Sequence, residues 1–484
     1  MTAKIELKTI VVVLVGVPFT LLLMYLLQIL PSKWALTIVA VYIFVILAMI
    51  VGDLKRSLCF LLIVGIPLSM EFMITSRGQG LINGVFLSLF DVAVLGLIVL
   101  WALKLRGSSD SAEFRIQLYP KTTKPALLLL AVSVVSLFVS SDKTWSVFGI
   151  INYMKLFLAY FVVANALKTK RELEYVMSFL VLSLFIQSAV YIFQCYTGVD
   201  FDVVGNPQIS GFSSGLFRPR GFMRQSNTAG TFFAASLILA MSFYSLKKKM
   251  SAKILIIVVL ALGVWALIFT FSRGGWSSFL LAAIVFLLIG IRQKWIRVRT
   301  VVVLSILVIL FLSVFWNSIN LRLTYDLAAK SRIPTMEVAW KIIRDYPLLG
   351  VGVNAYKDVF DKYITGDLRS EGAMSIVHNQ YLLVWAETGI IGLCSFLWFI
   401  LAFFIETKKS MASRDNFERI LATGIMSSFL AICLAMMTQP ADHGTVTILT
   451  WVLAGYISAV GNVCGNNELG TLSRCPDAVI FKLE

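Results

Sequence analysis

Residues 228–271 read TAGTFFAASLILAMSFYSLKKKMSAKILIIVVLALGVWALIFTF, two apolar runs of about twenty residues joined by a short basic hinge. About twenty helical residues, rising 1.5 Å each, match the ~30 Å hydrocarbon layer of a bilayer. Within that layer only helices or closed barrels satisfy the backbone's hydrogen bonds, and the alternating ten-residue pattern of a barrel strand is absent here. The stretch predicts a transmembrane helix pair, with LKKKMSAK held on the cytoplasmic side by its lysines.

The pattern repeats in both directions. Apolar runs fall near 10–30, 34–51, 58–74, 84–103, 125–140, 148–166, 175–195, 228–246, 254–271, 275–291, 300–316, 380–406, 420–438 and 445–463. Of the 484 residues 59% are hydrophobic and 14% charged, and mean hydropathy is +0.87, far beyond what a soluble fold buries. The expected architecture is all-α: one polytopic bundle of about fourteen transmembrane helices (12–14) spanning residues 1–463, with a short cytoplasmic tail at 464–484. The first run is longer than a signal-peptide core and lacks an Ala-x-Ala cleavage site, so it reads as a retained helix. Six cysteines (Cys59, Cys195, Cys394, Cys433, Cys464, Cys475) show no CxxC spacing and read as small core hydrophobes.

Basic residues fix orientation. Most of the 42 Lys and Arg lie in alternate connections such as GDLKRS, LKTKRELE and IRQKWIRVRT, and in both termini, which places both termini in the cytoplasm. The external side then carries two long loops, about 196–227 and 317–379, the second between the eleventh and twelfth helices. They hold Arg218, Arg220 and Arg224, and Arg322, Lys330, Arg332, Lys341, Arg344, Lys357, Lys362 and Arg369. The other external segments are left with Lys33, Arg77, Lys143, Lys155 and Arg273. Long loops cross a membrane regardless of charge, and a guanidinium fork also binds phosphate bidentately; both readings fit these arginines. Anchoring charge accounts for most of the net +16, and no zinc-finger or helix-turn-helix pattern points to nucleic acid.

Few residues could carry chemistry. There is no Walker A motif, GxSxG elbow, HExxH or convincing acidic metal pair, so neither a metal nor a cofactor is expected. His378, one of two histidines, opens HNQYLLVWAETGIIGL at the exit of the large loop and can accept a proton near neutral pH. His443 reads as structural. Arg273, in FTFSRGGWSS, sits at the membrane surface with almost no loop around it, where a charge must snorkel, pair or line a wet cavity. Pro219 and Gly221 make GLFRPRGFMRQSNTAG an ordered turn, with Asn227 and Thr228 as candidate helix caps. SRIPTMEVAWKIIRDYPLLGVGVNAY reads as an amphipathic helix, with Met336, Val338, Ala339, Ile342 and Ile343 on one side, stopped at Tyr346-Pro347. Asp91 is the clearest buried acid.

Four segments in order, GFMRQSN, SRGGW, SRIPTMEVAWKIIRDYPLLGVG and HNQYLLVWAETGIIGL, resemble the O-antigen ligase and O-antigen polymerase superfamily over about residues 205–405. The resemblance implies a metal-independent, GT-C-like transferase on the external face of the cytoplasmic membrane, moving a glycan from a polyprenyl pyrophosphate carrier to a hydroxyl. His378 matches the histidine that activates the acceptor, Arg273 the arginine of the SRG motif, and Arg218, Arg220 or Arg224 the arginine before a Gly-x-Phe-x-x-Pro-Asn turn. Here Met223 and Ser226 replace that turn's usual Phe and Pro. Arg332 and Asn379 are further candidates for pyrophosphate or glycan contact, Arg332 with a structural role as its alternative. Implied partners are the lipid-linked oligosaccharide, membrane lipids, a flippase and chain-length regulators. A polymerase extending a lipid-linked repeat is the preferred reading and a ligase the alternative. A transporter of an anion or lipid-linked sugar is the reading from another class.

Overall fold

A computed structural model describes residues 53–68, 71–76, 82, 84–107, 116–118, 120–199, 218–223, 225–299, 313, 320, 332–364, 376–440, 444–468 and 479–481. The expected spans at 10–30, 34–51 and 300–316, and His443, Arg224 and Cys475 among the singled-out residues, lie outside them. Thirteen helices run through the described residues: α1 Leu54–Gly65, α2 Leu89–Gly107, α3 Pro120–Val135, α4 Lys143–Ala166, α5 Lys170–Thr197, α6 Ser226–Leu246, α7 Met250–Phe269, α8 Arg273–Arg292, α9 Arg332–Asp345, α10 Tyr356–Tyr363, α11 Gln380–Met411, α12 Asn416–Met436 and α13 Thr445–Glu468. Nine of these, α3 to α8 and α11 to α13 (α3 taken with the single turn that follows it), are long and apolar enough to cross a membrane, and the apolar stretch of α2 is shorter. The chain is thus a multi-pass helical membrane protein.

Helix starts follow local chemistry. Asp142 caps α4, accepting from the Thr144 and Trp145 amides, and Asp415 caps α12 through Phe417. Thr169 and Glu172 form a reciprocal capping box on α5. α6, α12 and α13 form the centre of the bundle, since over 70% of each span is buried, against 33% for α7 and α8 at the periphery. Leu255, Val258, Leu280, Leu281 and Leu288 on those outer helices are exposed, as a lipid-facing surface requires. Small residues bring the central helices together. A Cβ on Gly424 of α12 would overlap Ser242 of α6, and the Ser428 hydroxyl donates to the Ala235 carbonyl at 3.0 Å. The Phe403 and Phe429 rings stack at 3.7 Å between α11 and α12.

Three expectations need correction. The run at 58–74 is not a full span: α1 stops at Gly65 ahead of Pro67, which lacks an amide to continue it, and Glu71–Ser76 then pairs antiparallel with Gly84–Ser88. A short hairpin therefore interrupts the all-helical picture, as does a three-residue pairing of 116–118 with 479–481. Lys155, counted with the external segments, lies in the middle of α4 and pairs with Asp91. The run at 380–406 is broken at Gly389 (φ 67°, ψ −170°), a backbone region almost confined to glycine, so α11 is two helical segments meeting at a kink.

The kink receives the loop after α9. Val351 N donates to the Ala386 carbonyl at 3.0 Å, Gly352 N to Glu387 at 2.9 Å, and Ile390 N to Pro347 at 2.9 Å. α9 is amphipathic as expected, although Thr335 is buried with Val338, Ala339, Ile342 and Ile343 while Met336 is only partly covered. These residues pack with Leu383 and Ala386 of α11, so α9, α10 and the intervening loop form a lid of protein over the first segment of α11.

Candidate functional site at the end of the bundle

The turn after α12, Met437–Thr438–Gln439, gathers three helix starts. At α11, Asn379 Nδ2 donates to the Met437 carbonyl at 3.2 Å, while Asn379 Oδ1 accepts from the Tyr381 and Leu382 amides as the helix cap. At α8, a Cβ on Gly274 would overlap the Thr438 hydroxyl, so Arg273 and its helix start lie against the same turn. At α6, Gln439 Nε2 donates to the Asn227 carbonyl at 3.4 Å and also to the Thr231 hydroxyl. A Cβ on Gly275 would come within 3.0 Å of the Gly230 backbone, which sets the close approach of α6 and α8. Arg273 and His378, about a hundred positions apart in sequence, therefore each adjoin a residue packed on one three-residue turn.

Arg218 joins them from the preceding loop. Its Nε and Nη2 donate to the Thr270 carbonyl at 3.2 and 2.9 Å, and Nη2 also donates to Asn227 Oδ1 at 2.9 Å. The side chain thus locks the turn before Arg273 onto α6. Asn227, expected as a cap, is spent on this bond, and α6 starts from Gln225 without a side-chain cap. Arg220 is 7% exposed within the RPRGFM turn. That turn is strapped to α5: Tyr191 donates to the Pro219 carbonyl at 2.6 Å, and Gln194 accepts from Gly221 N at 2.8 Å. Gly221 has φ 64°, and a Cβ there would crowd Gln187 Oε1 at 3.1 Å. The stripe Gln187, Tyr191 and Gln194 was missed in the sequence; its signal was two glutamines and a tyrosine on one face of an apolar helix.

His378 is half-buried, with Nδ1 at 3.3 Å from the Ile376 carbonyl. Burial, and next the nearby charge of Arg332, hold its pKa below the ordinary histidine value, against a smaller opposing effect of the Ile376 hydrogen bond. The imidazole is neutral at pH 7 and able to take a proton. Arg332, at the start of α9, thereby belongs to the same neighbourhood. Among the described residues, Arg218, Arg273 and Arg332 lie at or beside helix N-termini, an arrangement able to hold an anionic group. Glu387, also missed, is 4% exposed beside the kink, its carboxylate facing the amides of Asn354 and Tyr356. Its role on these contacts is to hold the loop to α11.

A family model described as O-antigen ligase matches residues 258–397, a window that holds Arg273, Arg332, His378 and Asn379 and leaves Arg218, Arg220 and Arg224 outside. An O-antigen ligase of Salmonella typhimurium is 26% identical over 173 residues, which cover 34% of this chain and 42% of that protein. The match thus spans less than half the length of the relative. The similarity to O-antigen ligases is thus carried by residues 258–397, less than a third of the chain, set within a multi-pass helical fold.

Proposed function

We propose that the chain is a glycosyltransferase that releases a glycan from a polyprenyl pyrophosphate carrier at the external face of the cytoplasmic membrane and joins it to an acceptor hydroxyl. The observation that carries this reading is that Gly274, next to Arg273, and Asn379, next to His378, both pack against the Met437–Gln439 turn. As the glycosyl bond breaks, negative charge grows on the pyrophosphate oxygens, and Arg273 with Arg332 stabilises it at fixed positions. Neutral His378 takes the acceptor's proton as the new bond forms. Arg218 and Asn379 position these groups, since their polar atoms are engaged with Thr270, Asn227 and Met437. Both substrates are large or membrane-held, so much of the rate gain comes from alignment.

The ligase reading is better supported than the polymerase preferred from sequence, because both matched descriptions are of ligases. A deletion strain tests it. A ligase leaves long chains on the carrier lipid and none on the final acceptor; single repeats on the normal acceptor would instead mark a polymerase, and an unchanged polysaccharide would remove the transferase reading.

A further inference from the structure

A second polar feature lies inside the bundle, apart from the arginine site. α2, α4, the β-hairpin and α13 border a partly open cavity of about 40 Å³ lined by Asp91, Asn152, Lys155, Phe86 and Phe148 among others. Lys155 Nζ lies 2.8 Å from Asp91 Oδ2 and donates to the Phe86 carbonyl at 2.8 Å. Asp91 Oδ2 also accepts from the Ser88 amide and hydroxyl, each at 2.8 Å. Asn152 Nδ2 is fully buried and has no partner among the described residues. An ion pair in the middle of a membrane-spanning helix is costly to keep, and a buried amide without a partner adds to that cost. Neither Asp91 nor Lys155 takes part in the arginine and histidine chemistry.

We propose that this cavity binds hydroxyl groups of the acceptor saccharide, an inference that rests on the transferase reading for the word acceptor. The pair is mutually neutralised, so the cavity has no net charge to offer a pyrophosphate or a metal cation. What remains is an amide donor and a carboxylate whose contacts among the described residues all fall on Oδ2, with two aromatic rings beside them. Hydroxyls both donate and accept, and the apolar face of a sugar packs on aromatic rings, so a neutral saccharide matches this lining. The volume admits roughly three water-sized groups, that is, the hydroxyl-bearing edge of a sugar and not a whole oligosaccharide.

Its placement fits an acceptor. Ile82 at the cavity is held by Asn354, whose Oδ1 accepts from Ile82 N at 3.0 Å and whose Nδ2 donates to the Ile82 and Trp145 carbonyls. Asn354 belongs to the loop docked on the α11 kink, and α11 begins beside His378. On the other side Ile448 lies one turn into α13, shortly after the Met437–Gln439 turn.

The experiment uses the full-length protein in nanodiscs, with two probes: the saccharide of the unmodified acceptor that accumulates in the deletion strain, freed of its lipid by mild acid, and inorganic pyrophosphate. Wild type should bind both. Asn152→Leu, which fills the cavity, and Asn152→Ala, which cannot overpack it, should each weaken saccharide binding about tenfold or more, the loss of one well-placed hydrogen bond, and leave pyrophosphate binding unchanged. No saccharide binding by wild type, or wild-type affinity in both variants, overturns the proposal. Failure of Arg273→Ala to weaken pyrophosphate binding would count against the transferase reading alone, because the saccharide result is read separately.

Discussion

Gly389→Ala tests whether the α11 kink holds the loop after α9 in place. The glycine has φ 67° and ψ −170°, which costs an alanine about 1–3 kcal/mol. A Cβ there would lie 2.5 Å from Leu349 N and closer still to the Leu348 carbonyl, both backbone atoms that cannot swing aside. Relief requires the loop to lift, giving up the bonds from Val351, Gly352 and Ile390, worth about 1 kcal/mol net each. Opening costs the wild type those same bonds, so the change in the opening equilibrium comes from the strain alone: about 1–3 kcal/mol is roughly 5- to 150-fold at 1.36 kcal/mol per decade, and the backbone overlap adds to it. Hydrogen exchange on the membrane-embedded protein reads this directly at the Val351 and Gly352 amides. The bundle core, represented by α6 and α12, should keep its protection. Unchanged exchange at 351 and 352 would refute the docking account.

Arg332→Gln removes a cation that disfavours protonated His378, so the His378 pKa rises toward its ordinary value and the acidic limb of the transfer-rate profile moves to higher pH; an unmoved limb would separate the two residues. The sign follows from the direction: a base with a lowered pKa stays neutral further into acid, and wild type should lose activity only as pH falls through that lowered value. Arg218→Ala removes charge-assisted bonds to Thr270 and Asn227 and should cost roughly 1.5–3 kcal/mol, seen as a lower Tm; a Tm equal to wild type would show that the side chain locks nothing. Gln194→Ala frees the Gly221 amide and should loosen the RPRGFM turn by about 1–3 kcal/mol, measurable as faster exchange at Gly221 and Met223.

Much of this fold could be read in the sequence because lipid imposes a simple rule. A span must be apolar, about twenty residues long and helical, so α4 to α8, α12 and α13 sit close to their expected places. The rule fails where the backbone leaves the helix for tertiary reasons. Residues 58–74 are apolar enough to span, yet Pro67 and the hairpin partner at 84–88 override that. The Gly389 break was invisible because AETGIIGL still reads as one helix. At the site, Arg273 and His378 could be singled out by chemistry, as two scarce polar groups at apolar boundaries. What brings them together, the Met437–Gln439 turn, could not: it carries no signal of its own and acts through the Met437 carbonyl and the Thr438 hydroxyl. Lys155 was misplaced because a helix that starts as early as Lys143 has room for a lysine only if Asp91 neutralises it, a partner set by long-range packing.

On the proposed mechanism Arg273 and His378 serve the two substrates of one transfer reaction at one turn. Glycan transfer by purified protein in proteoliposomes, measured for Arg273→Ala, His378→Ala and the double variant at matched membrane abundance, tests it most directly. Each single change should lower the rate by about a hundredfold or more, and the double should fall little further, as for groups that work as a unit. A wild-type rate in either single variant, or losses that simply multiply in the double, would contradict it.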